Sequence, residues 1–163
     1  MASPRSACLL FLTLCVAFLI VTPGCKKKGP CEHGPQITEP RAGFDVLGGY
    51  PPGVYACGKT EADPYPLVAL KTTQMDDAER TLDDFAKSKG WTKLQLAAAD
   101  RAAFEAALAG NAKSFVLYKK GTSLLSGGLE LEQWGAVVFQ LHSIDCTKAT
   151  SLDDRNACEK YGK

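Results

Sequence analysis

Cysteine is the residue type with the most chemistry to offer in this chain, with seven copies at positions 8, 15, 25, 31, 57, 146 and 158. Thiolate and imidazole are the usual ligands of zinc, and the one grouping to weigh is Cys31, His33 and Cys57. No CxxC is present, and neither His33 nor His142 lies in a ligand repeat, so no metal is expected. A nucleophile is equally hard to place. The run Gly121-Thr122-Ser123-Leu124-Leu125 begins like a nucleophile elbow but lacks the final glycine that lets the backbone turn sharply behind the serine. Ser-x-x-Lys and dinucleotide fingerprints are both missing, and Cys57 has no second cysteine near enough for a thioredoxin-type redox pair. The expectation is a protein that is not an enzyme and carries no cofactor.

Two clusters point to binding instead. Asp76, Glu79 and Asp83, with Asp77 and Asp84 one strip over, fall on a single helical stretch. Paired acids do acid–base work only when their environments push their pKa values apart. Interleaved with Arg80 and Lys87, these read as a solvated face, or as an acidic patch for a basic partner. Tyr50, Tyr55 and Tyr65 crowd a proline-rich stretch around Pro51-Pro52. Tyrosine is enriched at interface hot spots, so they either form a docking surface or cover the open end of a sheet. Candidate partner-binding residues are therefore Tyr50, Tyr55, Tyr65, Asp76, Glu79 and Asp83.

The elements that must carry these residues follow from periodicity. From Gly29 to Gly53 there are five prolines and six glycines, and past Pro66 there is no proline at all. Proline removes amide donors and glycine raises the entropy cost of order, so residues 25–49 read as a tether or an irregular cap, partly ordered where a bridge from Cys31 to Cys57 would tack it onto the domain, and 50–163 as the folded domain. A short extended piece at Gly53–Cys57 precedes a strand at Tyr65–Leu70. Thr73 is placed to cap a helix whose Met75, Ala78, Leu82 and Phe85 recur at helical spacing, with Gly90 as its stop. Trp91–Leu96 reads as a strand, completing a β-α-β unit. A second helix runs from Asp100, its expected cap, to Leu108, with Phe104, Ala107 and Leu108 inward and Gly110 as terminator. Segments broken by Gly121, Gly127-Gly128 and Gly135 then read as a β-meander, with Val137, Phe139 and Leu141 on one face. Ser151 and Asp154 make a capping-box-like start to a short helix ending at Gly162. The fold class expected is a small single α+β domain: a β-α-β unit, a helix, a glycine-punctuated meander and a short C-terminal helix, with a split β-α-β arrangement as one form of it.

The first 28 residues carry a different kind of information. Arg5 precedes an apolar run from Ala7 to Val21, followed by Thr22-Pro23-Gly24-Cys25 and Lys26-Lys27-Lys28. The run has the length of an export signal rather than the roughly 20 residues of a membrane span. This segment resembles the precursor of a bacterial lipoprotein, whose lipobox is typically Leu, Ala or Ser, Gly or Ala, then the lipidated Cys. Gly24 and Cys25 match, while Thr22 and Pro23 depart from it. The resemblance implies removal of residues 1–24, acylation at Cys25, and, because Lys26 rather than Asp follows, an outer-membrane destination. Two other readings are an uncleaved anchor, since the three lysines run against the positive-inside rule, and ordinary secretion with a plain Cys25 thiol.

With Cys8 and Cys15 lost and Cys25 lipidated, Cys31, Cys57, Cys146 and Cys158 remain. Four suits an oxidising compartment. Three connectivities are possible; the favoured one joins Cys31 to Cys57 and Cys146 to Cys158, because each pair flanks one local segment. Of 19 basic and 18 acidic residues, Arg5 leaves with the leader, so the mature chain balances. Nothing in that balance suggests nucleic acid as a partner. The partners expected are a membrane, through the lipid, and other envelope proteins. Two function classes follow. One is a non-catalytic binding or scaffold module, such as a subunit of a secretion, motility or cell-wall assembly. The other is a ligand-handling or enzymatic lipoprotein, which requires a concave apolar pocket with converging polar groups.

Overall fold

The computed structural model describes residues 31–107 except 33, and 113–163. The leader, Cys25, Lys26–Lys28, His33, Leu108 and Gly110 lie outside the described residues, as does the side chain of Ala107. Six strands and three helices follow in the order β1 (Val54–Cys57), β2 (Leu67–Leu70), α1 (Met75–Ser88), β3 (Thr92–Lys93), α2 (Ala98–Ala107), β4 (Lys113–Lys120), β5 (Ser123–Glu132), β6 (Ala136–Asp145) and α3 (Leu152–Tyr161). The strands form one sheet in the order β1-β2-β6-β5-β4-β3, and every neighbouring pair is antiparallel.

That order splits the β2-α1-β3 unit. β2 and β3 run in the same direction, yet the meander β4-β5-β6 lies between them. The connection between β2 and β3 must therefore cross the sheet. α1 buries Ala78, Leu82 and Ala86 against Val116, Tyr118, Leu125, Leu129, Val137 and Phe139. The helix begins without the expected threonine cap. Gln74 occupies that position with no side-chain bond, while Thr72 Oγ1 accepts from the Gln74 amide at 3.1 Å. Gly90 (φ 80°) turns the chain into β3, as a left-handed residue after a helix does.

The meander differs from its sequence reading at one point. Gly121 (φ 57°) and Gly135 (φ 82°) do make the two turns, but Gly127-Gly128 lies inside the ten-residue strand β5. A Cβ on Gly127 would stand 2.8 Å from Leu141 Cδ2 and 2.9 Å from Val116 Cγ2, with Leu82 Cδ2 at 3.8 Å. The glycine serves close packing of β4, β6 and α1 rather than a turn.

The segment read as a tether is part of the core. Ile37, Phe44 and Leu47 are buried, and the Phe44 ring meets Phe139 edge-on with centroids 6.1 Å apart. Each such side chain contributes roughly 1.5–3 kcal/mol. Backbone bonds from Ile37 to Ala56 and from Gly58 to Pro35 lay this segment along the outer edge of β1, beside the Cys31–Cys57 disulfide. Glycine is required where the two strips meet, because a Cβ on Gly34 would fall 1.8 Å from the Gly58 carbonyl oxygen.

Among the described residues the other face of the sheet carries two buried clusters, one of Ala69, Ala136 and Val138 with Tyr55 packed against it and one at the end where α2 and α3 lie. Phe115, Leu117, Leu124 and Ile144 pack with Leu94, Leu96, Ala157 and Tyr161, and Phe104 of α2 stacks on Phe115 at 4.3 Å. α2 begins at Ala98, so Asp100 lies in its first turn instead of capping it. Its carboxylate accepts from Lys160 Nζ at 2.6 Å and Tyr161 Oη at 2.9 Å, which ties α2 to α3. α3 has no fully buried residue, and is held by the Ser151 cap (3.1 Å to the Asp154 amide) and by the disulfide from Cys146 to Cys158.

Candidate binding groove

At the opposite end of that second face lies an open groove of about 1310 Å³, walled on one side by Cys31 and Cys57 and on the other by Tyr65, Leu67 and Trp134. Strand alternation explains its floor. Ala56 points into the core under α1, so Tyr55 and Cys57 face the other way. Tyr65 is 85 % exposed, Trp134 54 % and Leu67 44 %. Trp134 stands in the β5–β6 turn, just before Gly135. The loop carrying Tyr65 is set by Asp63, whose carboxylate accepts from the amides of Lys59 (2.9 Å) and Tyr65 (3.0 Å). Those two backbone donors hold the Asp63 carboxyl below the usual carboxylate range. Arg41 Nη1 donates to the Asp63 carbonyl at 2.9 Å, so the segment 34–50 supports this loop as well. Burial raises the Tyr55 phenol, which keeps it neutral. Lys59, Lys71 and Glu32 sit on the rim.

Of the six residues read as partner-binding, Tyr55 and Tyr65 meet here and four do not. Tyr50 packs on Phe44 with centroids 5.1 Å apart; its hydroxyl donates to the Glu39 carbonyl and accepts from the Arg41 amide. It clasps the segment 39–50. Asp76 is exposed in the first turn of α1. Glu79 and Asp83 turn inward. Lys93 Nζ donates to Glu79 Oε1 at 2.5 Å and to Asp83 Oδ2 at 2.7 Å, Ser114 Oγ donates to Glu79 at 2.7 Å, and the Tyr118 hydroxyl donates to Asp83. The two are thus not part of the solvated strip that the sequence suggested. Burial pushes the Glu79 carboxyl up, but the Lys93 and Ser114 donors and the Lys93 charge outweigh it and leave it below its ordinary value. For Lys93, burial pulls down and the bonds to Asp83 and Glu79 raise the ammonium above its ordinary value. Burial and the bond to Asp83 raise Tyr118 strongly. The groups satisfy one another, as a cross-brace between α1, β3 and β4 should.

Ser123 and His142, which sequence alone brought forward, do not meet. Ser123 shares the face of Leu125 and Leu129, which pack under α1, whereas His142 shares that of Ile144 on the opposite side. His142 Nε2 lies 3.2 Å from Asp154 Oδ1 at the start of α3. Cys31 and Cys57 are joined to each other and offer no thiolate to a metal; among the described residues no group of three His, Cys, Asp or Glu side chains is placed to hold one. Sequence reasoning missed Trp134, Leu67 and Lys93. A tryptophan next to a turn glycine was the available signal for the first; the other two depend on which strands become neighbours.

No protein-family model, curated protein or solved structure matches the chain.

Proposed function

We propose that this chain is a bacterial lipoprotein, held to the outer membrane through acylated Cys25, whose domain is a non-catalytic binding or scaffold module of the cell envelope. A secretion, motility or cell-wall assembly is the kind of machine it would serve. The observation that carries the reading is the use of cysteines. All four downstream of Cys25 are consumed in two disulfides, Cys31–Cys57 and Cys146–Cys158; with Cys8 and Cys15 removed in the leader, Cys25 is the odd one left, at the position the lipobox resemblance assigns to lipid. Two disulfides fit an oxidising compartment. No helix among the described residues is long and apolar enough to cross a membrane. The groove supports a binding role, since exposed Tyr65, Leu67 and Trp134 line it.

The test is the mass of the protein extracted from membranes with detergent, with and without reduction. A chain beginning at Cys25 with acyl groups, gaining about four hydrogens on reduction of two disulfides, is the expected result. An intact Met1, or an unmodified Cys25 thiol, refutes the anchor; in-cell cross-linking that recovers no envelope protein refutes the module.

A further inference from the structure

The groove has a neighbour that its lining alone does not reveal. Cys31 is fixed to the groove wall by its bond to Cys57. Cys25 stands only six residues earlier in the chain, and six residues span at most about 20 Å when fully extended. An acyl chain on Cys25 therefore holds this end of the domain against the bilayer surface, and no other end of the sheet is tied as closely. Lys26, Lys27 and Lys28 lie in the connecting stretch.

The side chains on that wall match such a surface. Of the six large hydrophobic residues exposed among the described residues, three, Tyr65, Leu67 and Trp134, share this groove. Tryptophan and tyrosine are the residues that concentrate at membrane interfaces, where an apolar ring meets hydrated headgroups. Lys59 and Lys71 on the rim carry long apolar stems and charged ends, which lets them reach past buried rings to headgroup phosphates. The mature chain has balanced charge, so attraction to anionic lipid has to come from a local set; the lysines at 26–28, 59 and 71 outnumber Glu32 and Asp63, the two carboxylates that line the groove.

We infer that the groove face is a membrane-docking surface: Tyr65, Leu67 and Trp134 sit in the headgroup region of the leaflet that holds the lipidated Cys25. The inference rests on the lipoprotein reading and names the partner of the groove. Docking fixes the domain's orientation, because acyl chain and aromatic side chains engage the same surface.

Trp134 reports on this directly, since the other tryptophan, Trp91, is buried in the core. The full mature protein, purified from membranes, is reconstituted into phosphatidylethanolamine and phosphatidylglycerol vesicles, with or without lipids brominated near the headgroup end of the acyl chain. Trp134→Phe supplies the Trp91 background. The expected result is loss of the Trp134 emission to brominated lipid and its protection from aqueous iodide. Quenching by iodide and not by bromolipid means that the groove faces water and overturns the inference. Protection from both means that a second copy or another protein covers it, which overturns it too. Flotation with the vesicles together with the acylated mass separates these failures from failure of the lipoprotein reading, in which neither the mass nor flotation is found.

Discussion

Replacing Lys93 with methionine removes one charge from the cross-brace between α1, β3 and β4 and keeps an unbranched apolar stem one atom shorter. Glu79 and Asp83 then face each other without the cation between them, 21 % and 30 % exposed. A charged hydrogen bond is worth about 1.5–3 kcal/mol net, and breaking a fully buried pair costs about 3–5. For this half-buried site the two ranges lead to a loss of about 2 kcal/mol, or roughly 6–8 °C in Tm for a domain of this size. The pH dependence distinguishes charge from packing. Glu79 is held below its ordinary value, so its contribution is present above an unfolded pKa of about 4.3 and is lost as pH falls through the folded one. Lys93 is held above its ordinary value, so its contribution is present below about 10.4 and is lost as pH rises beyond that. The deficit of Lys93→Met against the natural chain is therefore full from about pH 5 to pH 10 and shrinks toward pH 3. Urea unfolding at stepped pH, followed by circular dichroism, measures it. A deficit that stays constant from pH 7 to pH 3 would refute the electrostatic account and leave only lost packing.

Gly43→Ala places a Cβ 2.5 Å from Leu141 Cβ and 2.9 Å from the Leu141 carbonyl oxygen, at a φ of 86°. Strain and overpacking together predict a loss of about 2–3 kcal/mol in denaturant unfolding; an unchanged midpoint would contradict the packed state of the segment 39–50. Converting both Cys146 and Cys158 to serine opens a link across 12 residues, worth about 3 kcal/mol in the chain-entropy model. Because α3 has no buried residue, its amides are expected to lose protection from hydrogen exchange before those of β5 and β6 do. Ser151→Ala deletes the one side-chain cap of α3 and is expected to cost about 1 kcal/mol, read as faster exchange at the Asp154 amide that Ser151 Oγ now holds.

The sequence made local features legible and left distant ones hidden. α1, α3 and the two glycine turns follow from spacing and from residues with few conformational options, and both disulfides join cysteines that flank one segment. Gly127-Gly128 misled because a glycine that admits a neighbouring side chain looks, in one dimension, like a glycine that turns. The proline-rich stretch misled in a similar way. Its composition predicts a tether or irregular cap with partial order, yet Ile37, Phe44 and Leu47 are part of the core, because a few apolar residues between prolines suffice once a disulfide and two backbone bonds fix the segment on β1. The groove was half visible. Tyr55 and Tyr65 stood out as aromatics, but Trp134 joins them only because β2 lies beside β6 in the sheet, and that pairing links residues nearly 70 positions apart.

The two faces of the sheet therefore carry different demands. One is closed by α1 and the segment 34–50, and its polar groups at Glu79, Asp83 and Lys93 are used up internally. The other is closed where α2 and α3 reach, buries Ala69, Ala136 and Val138 with Tyr55 against them, and carries the groove beside Cys31. An open aromatic face next to the chain's proposed anchor is inexpensive when a bilayer covers it, and a liability for aggregation when nothing does. With the groove against the leaflet, α1 lies on the far side of the sheet, and its exposed Asp76, Arg80, Asp84 and Lys87 face away from the membrane. That strip, mixed in charge and free of large apolar side chains, suits transient polar contacts better than an obligate interface. A module of this build would find its place in an assembly chiefly through orientation at the membrane, with affinity for proteins added at the α1 side.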